Sequence, residues 1–74
     1  MNRETVESSC VVAIGYDADL EIMEVELIGG KVYAYFGVPK WRVIDFLTAE
    51  SKGKFYNDWV KGWYDSEKMP NDAT

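Results

Sequence analysis

Few side chains in this 74-residue chain are suited to chemistry, and the missing types narrow the field first. Histidine is absent and Cys10 is the single cysteine, which excludes a His-based triad, a Cys/His zinc site and a disulfide framework. Ser8, Ser9, Ser51 and Ser66 have no imidazole base to activate them, and a Ser51–Lys54 pairing competes with a plain helix-cap role for that serine. Asp17 and Asp19 belong to a stretch too short for a calcium loop and read as a turn between strands. Glu24 and Glu26 leave one strand on the same side; the spacing would allow a shared proton or metal, but a solvated strand face is the commoner arrangement. Cys10 reads as a small buried hydrophobe, since nothing beside it would lower a thiol pKa. Gly29-Gly30 lacks both the following helix and the Lys-Ser/Thr pair of a phosphate loop. No catalytic residue, no metal site and no cofactor is expected, and the chain reads as non-catalytic.

The rings carry more information. Ten of the eleven aromatic residues lie between positions 31 and 64. Trp41, Trp59 and Trp63 fall on the apolar faces of two expected helices and read as core, because so small a domain needs bulky side chains to fill its interior. Tyr33 and Tyr35 project from one strand, on the face that the helices are expected to leave open. Two adjacent rings there form a platform on which unstacked bases would lie. The same two rings serve equally to shield strand hydrogen bonds, with Glu24 and Glu26 bonding their hydroxyls.

Charge separates along the chain in the same way. The net charge is −5, but residues 1–30 hold seven acids and one base, while residues 31–74 hold seven bases and six acids. An acidic field repels polyanions before contact and draws in basic partners. MNRETVESS has no apolar run of the signal-peptide kind, and nothing approaches the ~20 apolar residues of a membrane helix. A cytoplasmic location without membrane contact is therefore expected, and a lone cysteine fits a reducing compartment.

The elements that must position these residues follow from periodicity. Val11 to Tyr16 is a β-branched apolar run closed by the Asp17-Ala18-Asp19 turn, and Leu20 to Ile28 alternates with period two after a bulge expected between Ile22 and Met23. Gly29-Gly30 reads as a two-residue hairpin loop, and Lys31 to Phe36 as the third strand. That loop places Ile28 opposite Lys31, so Met23, Val25 and Leu27 face Phe36, Ala34 and Val32, while Glu24 and Glu26 face Tyr35 and Tyr33. Pro39 suits a helix start, and Trp41, Ile44, Leu47 and Thr48 trace one side of a helix over about 39–50. After Ser51-Lys52-Gly53 a second helix presents Phe55, Trp59, Val60 and Trp63. The expected fold is α+β: a three-stranded antiparallel β-meander followed by two α-helices packed on one sheet face, β-β-β-α-α. Residues 1–8 read as a flexible N-terminus, 9–64 as the single domain and 65–74 as a disordered polar tail.

Several motifs resemble, in order, those of the KTSC domain, a small module named for the C-terminus of some lysyl-tRNA synthetases. They are Ser8-Ser9 ahead of Ile14-Gly15-Tyr16-Asp17, then Glu24-Val25-Glu26-Leu27, the Tyr33-Ala34-Tyr35 centre and Val38-Pro39. Ala49-Glu50-Ser51-Lys52-Gly53-Lys54-Phe55-Tyr56-Asn57 completes the set, and the similarity covers roughly residues 6–64. The resemblance implies a stand-alone bacterial or phage protein or a synthetase appendage, of unestablished function, with an RNA-binding role suggested by the synthetase association.

The function expected from all this is a non-catalytic binding module for a nucleotide or short single-stranded RNA. Tyr33 and Tyr35 would stack the bases, with Lys31, Lys52 and Lys54 near phosphate and Ser51, Gly53 and Asn57 as donors in the inter-helix turn. Capping roles for Ser51 and Asn57 are the competing account. The alternative function is a small acidic interaction or inhibitor protein that masks a partner's basic surface in the manner of a phage decoy, or that sequesters a signalling nucleotide. The chain is expected to be a monomer or a weak homo-oligomer.

Overall fold

Asp17 closes the first long strand with its own side chain. Its carboxylate accepts hydrogen bonds from the backbone N–H of Asp19 at 3.0 Å and of Leu20 at 3.2 Å, the Asx turn that this residue type favours. In a computed structural model, which describes residues 10–70 in full and Arg3–Thr5 by its backbone, that turn joins two strands of a five-stranded antiparallel sheet. The strands are β1 (Arg3–Thr5), β2 (Val11–Asp17), β3 (Ile22–Leu27), β4 (Val32–Phe36) and β5 (Ser66–Lys68), in the spatial order β1-β2-β3-β4-β5. Helix α1 (Lys40–Thr48) and helix α2 (Lys52–Phe55) lie between β4 and β5, and α2 runs on into a π-helical turn, Tyr56–Val60.

The α+β class, the central meander and the two helices agree with expectation; the strand count does not. Two short flanking strands carry no apolar pattern and are recruited by backbone pairing. Residues 65–74, expected to be a disordered tail, instead supply β5, fastened at both ends by Phe36 N–H to the Asp65 carbonyl at 2.9 Å and Met69 N–H to the Val32 carbonyl at 2.7 Å. Residues 1–8, expected to be flexible, supply β1, which pairs Arg3 with Gly15 and Thr5 with Ala13. The rest of that stretch, Ser9 and residues 71–74 lie outside the described residues. The expected bulge is also displaced: register shifts in β2, between Val11 and Ala13, and β3 is regular from Ile22.

A single residue in the β3–β4 hairpin decides which side chains of β4 are inside. Leu27, not Ile28, faces Lys31: Leu27 N–H donates to the Lys31 carbonyl at 2.7 Å and Gly30 N–H to the Leu27 carbonyl at 3.1 Å. The loop is therefore three residues, Ile28-Gly29-Gly30, with both glycines at positive φ (96° and 87°). Met23 pairs with Tyr35 and Val25 with Tyr33, whereas Glu24 pairs with Ala34 and Glu26 with Val32. A one-residue slip turns every side chain of a strand to the other face. The expected register is thus corrected: Tyr33 and Tyr35 are on the helix-covered face, and Val32, Ala34 and Phe36 on the outer one.

The core lies between that face and the helices. Met23, Val25, Tyr35, Val38, Val43, Phe46, Tyr56 and Val60 are buried together with Val11 and Ile14. Helix α1 buries Val43 and Phe46; of the Trp41, Ile44, Leu47 and Thr48 side expected to be buried, Leu47 packs against the core and the other three are exposed. Phe46 stacks on Phe55 with centroids 5.2 Å apart and lies nearly parallel to Tyr56 at 6.4 Å. Outside the sheet, Glu24, Glu26 and Glu67 share the outer face through their pairing with β4. The helical layer from Lys40 to Lys61 holds five bases and three acids, so the fold puts acid on one side and a net +2 on the other.

Candidate functional site

Tyr35 is 3% exposed and Tyr56 5%, and their hydroxyls meet at 2.5 Å beneath the helices. The rings stand edge to face, 6.0 Å between centroids. Burial pushes the Tyr35 phenol well above its ordinary pKa of 10.0, and the hydrogen bond to Tyr56 pushes it the same way. Burial raises Tyr56 too, against the lowering effect of the bond it shares with Tyr35. Tyr35 therefore cannot serve as an exposed stacking surface, and the platform expected from the sequence is not formed. Tyr33 is half-buried on the same face.

These tyrosines instead form the floor of a cleft. Tyr33, Tyr35 and Tyr56 line a cavity of about 320 Å³ with Lys31 from the hairpin, Lys61 from the turn after the π-helical segment, and Ser66 from β5. Of the expected site residues the fold gathers Lys31, Tyr33 and Tyr35 here. It adds Tyr56, Lys61 and Ser66, which lie more than twenty residues further along the chain. The four-residue spacing of Tyr56 and Val60, both buried, was the available signal, but the more obvious Trp59 and Trp63 masked it.

The other expected residues lie elsewhere, in the turn between the helices. Ser51 is the N-cap of α2, its Oγ accepting from the Lys54 backbone N–H at 3.2 Å. Lys52 donates from Nζ to the Ala49 carbonyl at 2.6 Å, closing the end of α1. Gly53 is buried and Asn57 exposed. Ser51 and Lys54 do border a second cleft of about 230 Å³, but Glu50 and Asp58 line it as well. The capping account of Ser51 is thus realised in the structure.

The tryptophans expected in the core are on the surface: Trp41 is 57% exposed, Trp59 43% and Trp63 56%. They surround one guanidinium. The Arg42 Cζ lies 4.6 Å from the ring centroid of Trp41, 5.2 Å from that of Trp59 and 5.6 Å from that of Trp63. Arg42 Nε donates to the Tyr64 hydroxyl at 3.1 Å, and Arg42 makes no ion pair among the described residues. Trp59 and Trp63 are 5.5 Å apart, and Trp63 is fixed by Nε1–H donating to the Asp58 carbonyl at 2.7 Å. Gly62, at φ +84°, makes the reversal that returns Trp63 towards Trp59. The misreading has a simple cause. Helix α1 carries two apolar stripes, 43/46/47 and 41/44, and only one can face the sheet.

Among the described residues no group of three acidic, Cys or His side chains is placed to hold a metal, and no helix is long and apolar enough to cross a membrane. The sequence matches the KTSC domain over residues 7–64. A protein of Tsukamurella paurometabola is 43% identical over 58 residues, covering 78% of this chain and 87% of that one. A lysine–tRNA ligase of Nostoc punctiforme is 32% identical over 63 residues, which are 85% of this chain but 11% of the ligase. The crystal structure of a KTSC domain protein from Yersinia pestis superposes with a TM-score of 0.89 at 36% identity, over 93% of this chain and 97% of that one. With the family's sequence pattern spanning most of its length and its fold shared with a solved member, the chain belongs to the KTSC domain family.

Proposed function

We propose that this chain is a non-catalytic module that binds short single-stranded RNA through its tryptophan surface. The observation that carries the reading is the arrangement of three exposed indoles around a guanidinium that has no carboxylate partner among the described residues. An indole face stacks on any unpaired base, a contact worth about 1–3 kcal/mol per base, and a guanidinium with free N–H groups binds phosphate or stacks in turn. Nε is spent on Tyr64, and no partner among the described residues takes the four Nη hydrogens of Arg42, which suit a ligand. The net +2 of the helical layer lessens the repulsion that the whole-chain charge of −5 would impose. A relative named as a lysine–tRNA ligase supports the same class of partner.

Tryptophan fluorescence measured during titration with a hexanucleotide RNA tests this directly. Stacking should quench the emission, and Trp59→Ala or Trp63→Ala should weaken binding by about tenfold each, in keeping with one lost stacking contact. Unchanged emission, or affinity indifferent to the double substitution, would sink the reading. A second reading is favoured by the outer sheet face: Glu24, Glu26 and Glu67 form an acidic surface suited to masking a basic protein. Under that reading RNA leaves the spectrum unchanged, and Glu24→Gln with Glu26→Gln abolishes capture of the basic partner.

A further inference from the structure

The cleft floored by Tyr33, Tyr35 and Tyr56 shares no residue with the indole cluster, and its chemistry is of a different kind. Among the described residues of this acidic chain, no carboxylate lines it. Its polar side chains are two lysines, three tyrosines and a serine. Neither Lys31 nor Lys61 makes an ion pair among the described residues. Lys68, across from Tyr33 in the β4–β5 ladder, puts a third ammonium on the same face of the sheet.

The floor adds a constrained donor. Between the Tyr35 and Tyr56 oxygens there is room for one proton, so one of the two hydroxyls must point its hydrogen elsewhere. Neither hydroxyl has another partner among the described residues, and both belong to side chains that line the cleft. Buried donors are normally satisfied, and the cavity that both residues line has room for an acceptor that would take this hydrogen. A lining of two ammonium groups and several O–H groups suits an acceptor-rich anion. The volume, about 320 Å³, is at the small end of the usual ~300–1,000 Å³ for ligand sites, too small for a folded polymer.

We propose that this cleft binds a terminal phosphomonoester carried by a small ligand or a chain end. Such a group brings a charge of about −1.5 to −2 and three strong acceptor oxygens, whereas a phosphodiester offers a single charge and two such oxygens. Two lysines converging with hydroxyl donors match the former.

The test is an amide-resolved NMR titration of the full chain with adenosine 5′-monophosphate, adenosine, the 3′,5′-cyclic monophosphate and inorganic phosphate. The 5′-monophosphate and inorganic phosphate should shift Lys31, Tyr33, Lys61 and Gly62. Adenosine should leave them still, and the cyclic diester should bind at least about tenfold more weakly. Lys61→Gln and Lys31→Gln, both at exposed positions, should each weaken the 5′-monophosphate by about tenfold or more. Equal shifts from adenosine and its monophosphate, or an affinity untouched by both lysine variants, overturn the proposal. An RNA tetramer with and without a 5′-phosphate identifies the source. Cleft shifts that require the 5′-phosphate assign a chain end; cleft shifts with the mononucleotide alone assign a free nucleotide, and both support a monoester. Indole Nε1–H signals follow the tryptophan surface separately, so failure at one site is not read as failure at the other.

Discussion

Tyr35 takes part in both the stability of the interior and the chemistry of the cleft. Its hydroxyl bond to Tyr56 is buried at the floor of the cleft, and a buried hydrogen bond is worth about 1 kcal/mol net. Tyr35→Phe keeps the ring and removes the bond, so urea unfolding should show a loss of about 1 kcal/mol with the fold intact. The pH dependence follows from the raised phenols. Tyr16, Tyr35 and Tyr56 are all held above 10.0, chiefly by burial. Above pH 10 the unfolded chain releases these protons while the native chain keeps them, so the native state binds more protons and its stability falls as pH rises. Below pH 10 the contribution is fully present. Between about pH 8 and pH 9.5 these tyrosines should leave the urea midpoint unchanged and beyond that lower it, and Tyr35→Phe should decline less steeply. Equal slopes for the two proteins would remove Tyr35 from this account. The surface indoles teach the opposite lesson at the same scale: bulk and apolarity did not place Trp41, Trp59 and Trp63 inside, because Val43, Phe46, Tyr56 and Val60 already fill the space over the sheet.

Two short backbone devices aim those side chains. The π-helical turn Tyr56–Val60, closed by Lys61 N–H to the Tyr56 carbonyl at 2.8 Å, buries Tyr56 and Val60 and leaves Trp59 outward. The reversal at Gly62 then brings Trp63 back beside Trp59, with Trp63 N–H donating to the Val60 carbonyl at 3.1 Å. A Cβ at Gly62 would meet nothing within 4 Å, so Gly62→Ala is penalised by its positive φ alone, about 1–2 kcal/mol. Thermal unfolding should register that loss, and RNA affinity should fall with it as Trp63 is released from Trp59. A variant as stable as the parent would mean that the turn relaxes without strain. The β3–β4 hairpin shows how little separates two outcomes for an element. Both faces of β4 are apolar enough to be buried, Val32-Ala34-Phe36 or Tyr33-Tyr35, so alternation leaves the choice open. The Tyr33-Tyr35 face encloses two large rings and gives a hydroxyl a partner on the helical layer.

At the scale of the whole molecule, β5 connects the end of the chain to both stability and the cleft. It covers the free edge of β4, and it brings Ser66 to the phosphomonoester cleft and Lys68 to the same sheet face. A chain ending at Tyr64 loses that ladder and its two flanking backbone bonds, which at about 1 kcal/mol each predicts a loss of at least about 2 kcal/mol. Calorimetry measures it, and a melting temperature equal to that of the full chain would show β5 to be dispensable. Charge is also arranged at this scale. The acidic first thirty residues run into β2 and β3, whose Glu24 and Glu26 side chains take the outer face, while the bases collect over the helices. A chain of net −5 thereby presents one face compatible with phosphate.

The sequence by itself determined what local chemistry controls. The alternation of β2 to β4, the Asp17 turn, the start of α1 at Pro39, the Ser51 cap and the ordered family motifs each need only neighbours a few residues away. It also excluded histidine-based catalysis outright, by inventory. Tertiary structure alone decided the sheet register, the buried stripe of α1 and the outer strands. Those outcomes rest on side chains and backbone groups far apart in the chain: Tyr35 with Tyr56, Phe46 with Phe55, and Ser66–Lys68 with β4. Tyr33 and Lys31 are neighbours in the sequence, but Lys61 and Ser66 reach them only when the chain folds back across the sheet. Where two packings satisfy the same local pattern, the contacts made across the fold select one, and no window of sequence contains them.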